Sequence, residues 1–133
     1  HGRTRCQFYK GSADWNFIQN VVKAVSIPVF GNGDVNTIDD AKKLLQVSGA
    51  VGVLIGRGTY GRPWFPEQVR QFLESGQRLK DPPIEIQKKI VLEHFHTMLE
   101  HYGIYHGLRI ARKHLGWYSK SIHNSNEFRF KIN

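Results

Sequence analysis

Cysteine is almost missing from these 133 residues: Cys6 stands alone, so no internal disulfide framework exists, which fits a reducing cytoplasm. No run of about 18 consecutive apolar residues occurs, so no segment is expected to span a membrane. No cleavable leader pattern and no initiator methionine open the chain. It begins His1-Gly2-Arg3-Thr4-Arg5, which reads as the end of a strand whose start lies upstream, and the chain is therefore expected to be the C-terminal piece of a longer protein. Acidic residues are scarce: 11 Asp and Glu face 19 Lys and Arg, a formal net charge of +8 with histidines neutral. That excess suggests a polyanionic partner without identifying it. Internal repeats and low-complexity tracts are absent.

What is present is organised around two apolar runs, Ile27 to Asp34 (IPVFGNGD) and Val51 to Gly58 (VGVLIGRG), each ending in a glycine turn. Val29, Phe30, Val53, Leu54 and Ile55 are too continuous for strands with one wet face, so they are expected to be parallel strands buried on both sides. Helical spacing precedes and separates them. Asp14 caps a run with Trp15, Ile18, Val21, Val22 and Val25 on one face. A second helix starts near Asn36 or Thr37, with Asp39 and Asp40 in its first turn and Ser48-Gly49 at its end. A further helix is expected from Pro66 to Ser75, closed by Gly76. Alternating helices and strands with short links imply a parallel sheet. A complete eight-stranded α/β barrel needs about 250 residues, and the loops after its last two strands commonly bind phosphate. Glycine turns at the carboxyl ends of successive strands suit that role, because backbone N–H groups approach an anion with no Cβ in the way. Asn32, Gly33 and Asp34 with Gly56 and Arg57 are thus the candidate phosphate site, Arg57 adding a charge-assisted contact.

A polar break, Gln77 to Pro83, divides the chain into an α/β part (residues 1–80) and an all-helical part (residues 81–133). Residues 1–76 hold nine Lys/Arg against six Asp/Glu, whereas residues 77–133 hold ten against five and six of the seven histidines. Ile84 to Tyr102 is expected to be a long amphipathic helix stopped by Gly103, followed by a second from Tyr105 to Ile122 and a short one within Asn124 to Asn133. In the second helix, Leu108, Ala111, Leu115, Tyr118 and Ile122 share one face, and His106, Arg109, Lys113, Trp117 and Lys120 share another. The second stripe either tracks a phosphodiester backbone, with Trp117 as a stacking surface, or is a solvated face whose tryptophan belongs to the core. The histidines make a poor metal set, since His94 and His96 face apart and no acidic or cysteine partner joins them. Cys6 reads as a structural thiol, with no base placed beside it. At a strand's carboxyl end His1 could point into a barrel mouth, or it could be a frayed terminus.

HGRTRCQFYKGSADW, IPVFGNGDV, VGVLIGRGTYGRPWF and RKHLGWY, in this order and spacing, resemble the tRNA-dihydrouridine synthase family. The resemblance implies α/β architecture: the C-terminal part of a (β/α)8 flavin-binding barrel followed by a small all-α helical domain. It implies FMN as cofactor, NADPH as reductant, and reduction of uridine to 5,6-dihydrouridine in tRNA; together with the cysteine, histidine and hydropathy readings, the expectation is a cytoplasmic protein, a monomer when full length, with no metal and no membrane attachment. Asn32, Gly33, Asp34, Gly56 and Arg57 would bind the flavin phosphate and ribityl region, and His1 would lie beside the flavin ring or target base. Arg109, Arg112, Lys113, His114, Trp117 and Lys120, with Tyr118, would belong to the tRNA-holding domain. The family's catalytic cysteine and a flavin-proximal lysine precede HGRTR, so these 133 residues are expected to be inactive and poorly soluble alone. Two other readings are a non-catalytic nucleic-acid-binding helical module and another FMN-barrel oxidoreductase acting on a small molecule.

Overall fold

A computed structural model describes residues 1–120 and 122–132. The chain divides into two compact units, one built from His1–Thr59 with Phe65–Leu79, the other from Tyr60–Trp64 with the chain from Lys80 onward.

In the first unit the order is α1 (Trp15–Ala24), β1 (Phe30–Asn32), α2 (Ile38–Ser48), β2 (Gly52–Leu54) and α3 (Phe65–Ser75). Each helix boundary has a chemical cause. The Asp14 carboxylate accepts the Phe17 amide at 3.0 Å and starts α1. Thr37 caps α2 by accepting the Asp40 amide at 3.1 Å, and the Asp40 carboxylate returns a bond to the Thr37 amide at 2.8 Å. Gly49, at φ 67°, ends α2 in the left-handed conformation, its amide donating to Leu45 O at 2.9 Å. Gln19 of α1 donates to the carbonyl of Val47 at the end of α2, which ties the two helices together.

The strands are parallel, with Phe30 opposite Gly52, Gly31 opposite Val53 and Asn32 opposite Leu54. Both are shorter than the apolar runs suggest. They are also not buried on both faces as expected: Phe30 and Leu54 are each 56% exposed. The pleat explains the difference. Gly31 and Val53 point toward α2, where Gly31 leaves room for Leu44, whose Cδ2 would lie 2.4 Å from a Cβ at that position. Phe30, Asn32, Gly52 and Leu54 point the other way, onto a face that no helix of this unit covers. The core on the covered side is Val35, Ala41, Leu44, Phe65 and Val69, flanked by Trp15, Ile38, Val53 and Ile55. Burying Phe65 or Leu44 fully contributes about 1.5–3 kcal/mol each.

The second unit contains α4 (Ile84–Tyr118) and α5 (Ser125–Ile132). Gly103, at φ 73° and ψ 163°, breaks α4 into two arms, as its place after Tyr102 suggested. The arms fold back on each other, because a Cβ at Gly107 would lie 2.9 Å from Met98 O and 3.0 Å from Leu99 Cα. Met98, Gly107 and Ala111 are buried in this seam. The segment Tyr60–Trp64 belongs to the same unit: Tyr60 stacks on Trp117 at 3.9 Å, and Trp64 Nε1 donates to Asp81 Oδ1 at 2.8 Å.

Candidate cofactor and nucleic-acid sites

The carboxyl ends of β1 and β2 lie side by side. The Asn32 side-chain amide donates to Leu54 O at 2.7 Å, so it bridges the two strand ends and fixes where each turn begins. Gly33 follows at φ 124°, buried, in a conformation that needs glycine. A Cβ there would lie 2.6 Å from Ala13 Cβ and 3.3 Å from His1 Cε1. Trp15 Nε1 donates to Gly33 O at 2.9 Å, which pins the turn from the α1 side.

Asp34 is the electrostatic centre. One carboxylate oxygen accepts Arg3 Nη2 at 2.6 Å and the Ala13 amide at 2.7 Å, while the other lies 3.6 Å from Arg57 Nη2. The Arg3 hydrogen bond holds the Asp34 carboxyl below its ordinary value, with the Ala13 amide and the charges of Arg3 and Arg57 acting in the same direction and partial burial opposing them. The Arg3 side chain is only 4% exposed. It also donates to Lys10 O at 3.1 Å and Gly11 O at 2.6 Å, and its Nη1 is buried without a hydrogen-bond partner. Arg57 is 45% exposed, its guanidinium 4.4 Å from the centroid of the Tyr9 ring. The turn it belongs to is held by Thr59, whose amide and hydroxyl both donate to Gly56 O, at 3.0 and 2.8 Å. Gly58 fits beneath Val35 O, which would lie 2.1 Å from any Cβ, whereas the space beside Gly56 is open.

His1, Asn32, Gly33, Asp34, Gly56 and Arg57 are thus gathered at one end of a parallel pair. His1 takes the Arg3 amide on Nδ1 at 2.9 Å, so in its neutral form the proton sits on Nε2. In the turn reading Asp34 contributes its backbone amide to an anion site, and the structure gives its side chain a separate role. Its carboxylate is committed to Arg3, Ala13 and Arg57. Two arginines against one aspartate leave the cluster net positive, with an exposed guanidinium and an open Gly56 turn, which suits an anionic group. Arg3, Ala13, Trp15 and Tyr9 are not among the site residues that the sequence points to. HGRTR offers two arginines, and nothing local distinguishes buried Arg3 from exposed Arg5.

On α4 the basic residues Arg109, Arg112 and Lys113 are exposed, and Lys120 beyond its end is exposed too. Arg109 lies 5.8 Å from the Tyr105 ring centroid. Trp117 and His114 are half-buried rather than free. Tyr60 covers one Trp117 face, and His114 meets Trp117 edge-on at 4.9 Å and His94 at 4.8 Å. His94 Nδ1 is bonded to Tyr118 Oη at 2.9 Å. Burial lowers the His114 pKa and the neighbouring His94 lowers it further, while burial raises that of Tyr118. Among the described residues no group of three His, Cys, Asp or Glu could hold a metal, and no helix is long and apolar enough to cross a membrane.

The family model for dihydrouridine synthase (Dus) matches residues 1–133. The chain is 52% identical to a protein of Rickettsia bellii named "Probable tRNA-dihydrouridine synthase", over 100% of this chain and 41% of that relative. It is 45% identical to tRNA-dihydrouridine synthase B of Vibrio vulnificus, covering 100% of this chain and 41% of the relative. With tRNA-dihydrouridine synthase B of Pseudomonas putida the identity is 41%, over 100% of this chain and 40% of the relative. The chain belongs to the dihydrouridine synthase family and spans about two-fifths of the length of these relatives.

Proposed function

We propose that this chain carries the FMN-phosphate grip and the RNA-holding helices of an enzyme that reduces uridine to 5,6-dihydrouridine in tRNA with NADPH. The observation that carries the reading is the meeting of two glycine turns at adjacent ends of β1 and β2, with Arg57 exposed between them and steadied by Asp34. In the barrel reading, α2 covers the outside of the strands and the open face bearing Phe30, Asn32 and Leu54 looks into the lumen. The Gly33 and Gly56 turns and Arg57 would hold the phosphate, Asn32 would fix the spacing of the turns, and His1 would offer its Nε2–H to the flavin or the base. FMN, when bound, supplies hydride chemistry to the uracil C5–C6 double bond, with NADPH as the source of electrons. The Asp34 carboxylate, itself fixed by Arg3, holds Arg57 in place.

The second unit supports RNA binding through Arg109, Arg112, Lys113 and Lys120, which offer charge to a phosphate backbone. Trp117, packed on Tyr60, serves the fold of that unit as much as any base. A base inside folded tRNA is unreachable for chemistry, so a separate gripping unit that presents it has a clear purpose. The experiment is to incubate the full-length protein with unmodified tRNA, FMN and NADPH and to read nucleosides by mass spectrometry. The expected result is a uridine gaining two hydrogens. A flavin-loaded protein that binds tRNA and oxidises NADPH, yet never alters a uridine, contradicts the reading.

A further inference from the structure

We infer that Tyr9 is a positioning residue for Arg57, its ring forming the surface on which the guanidinium is held ready for the cofactor phosphate; this rests on the FMN reading above. The Arg57 guanidinium carbon lies 4.4 Å from the Tyr9 ring centroid, and Nη2 lies 3.6 Å from Asp34 Oδ1. A guanidinium resting on a ring keeps its donors free in its own plane, which is the geometry that grips a phosphate through two N–H groups. A ring and a carboxylate that favour one position of the guanidinium reduce the ordering an anion must impose on it.

Tyr9 is 71% exposed, and the adjacent Phe8 is exposed as well. The loop that presents them is tightly fixed. Arg3 donates to Lys10 O and Gly11 O, Lys10 N donates to Gln7 O at 2.9 Å, and Phe8 adopts φ 49°, ψ −109°, a strained conformation for an aromatic residue. A strained, clamped loop that keeps a large ring out of the core is built to present that ring. Because Arg3 also bonds Asp34, one buried side chain fixes both supports of Arg57.

The test measures dissociation constants of FMN and of riboflavin, which lacks the phosphate, for the full-length protein and its Tyr9→Leu, Tyr9→Phe, Arg57→Ala and Tyr9→Leu/Arg57→Ala variants. Tyr9→Leu is expected to weaken FMN about two- to fivefold, the scale of one exposed cation–π contact, and to leave riboflavin unchanged. Tyr9→Phe retains the ring and is expected to restore the FMN affinity. In the Arg57→Ala background, Tyr9→Leu is expected to add nothing. The proposal is overturned by additive effects, by an equal loss for riboflavin, or by a Tyr9→Leu protein with undiminished FMN affinity. An Arg57→Ala protein that binds FMN normally would overturn the phosphate reading itself, and this proposal with it.

Discussion

At Gly33 a methyl group has nowhere to go. The φ of 124° and the 2.6 Å approach of Ala13 Cβ mean that Gly33→Ala combines backbone strain with overpacking, and it should cost about 2 kcal/mol or more of stability in urea unfolding. Gly56 makes the informative contrast. Nothing lies within 4 Å of its Cβ position, so Gly56→Ala should leave stability within about 0.5 kcal/mol while weakening FMN, because the methyl group occupies the anion's approach. Asp34 gives a pH signature. Its native pKa is depressed below the ordinary 3.8, so its contribution is complete above that value and is lost as pH falls through the native one. Urea midpoints between pH 5 and pH 3 should show this acid loss, and Asp34→Asn should shrink it. At this scale the sequence located the glycine turns that follow both strands and placed Arg57 in the second. The hub was not legible, since Arg3 and Asp34 are 31 residues apart and no local pattern announces the pair.

Among the elements, helix ends were the most legible, because caps are local chemistry. Asp14, Thr37, Gly49, Gly76 and Gly103 each sit where the sequence placed a start or a stop. Strand burial was not, because whether Phe30 and Leu54 are covered depends on partners beyond a two-stranded sheet. The α4 break at Gly103 makes a test of its own. Its φ and ψ suit glycine alone while its surroundings are empty, so Gly103→Ala should destabilise the helical unit by about 1–3 kcal/mol through backbone strain only. His114 adds a second. Burial, then His94, lowers its pKa in the folded state, so the unfolded chain takes up its proton first and stability falls as pH drops below about 6.5. Denaturation followed from pH 7.5 to 5.5 should show this slope, and His114→Gln should reduce it.

Across the whole molecule, the chain divides into two compact units, each with more Lys and Arg than Asp and Glu. The sequence put a boundary at residues 77–83, and it could not foresee that Tyr60–Trp64 would join the later helices, because the Tyr60–Trp117 stack spans 57 residues of chain. If the helical unit grips RNA by its phosphates, Arg109→Ala with Lys113→Ala should weaken tRNA binding, flatten its salt dependence by roughly 0.7–0.9 per lost phosphate contact, and leave FMN bound. Filter binding across a salt series checks this.

If one phosphate is held jointly by the turns after β1 and β2, a crystal structure of the full-length protein with FMN will show it. The expected structure has the phosphate within hydrogen-bond distance of backbone amides in both the Gly33 and Gly56 turns, with Arg57 beside it. A phosphate bound elsewhere, with those turns empty and Arg57 pointing away, would contradict it.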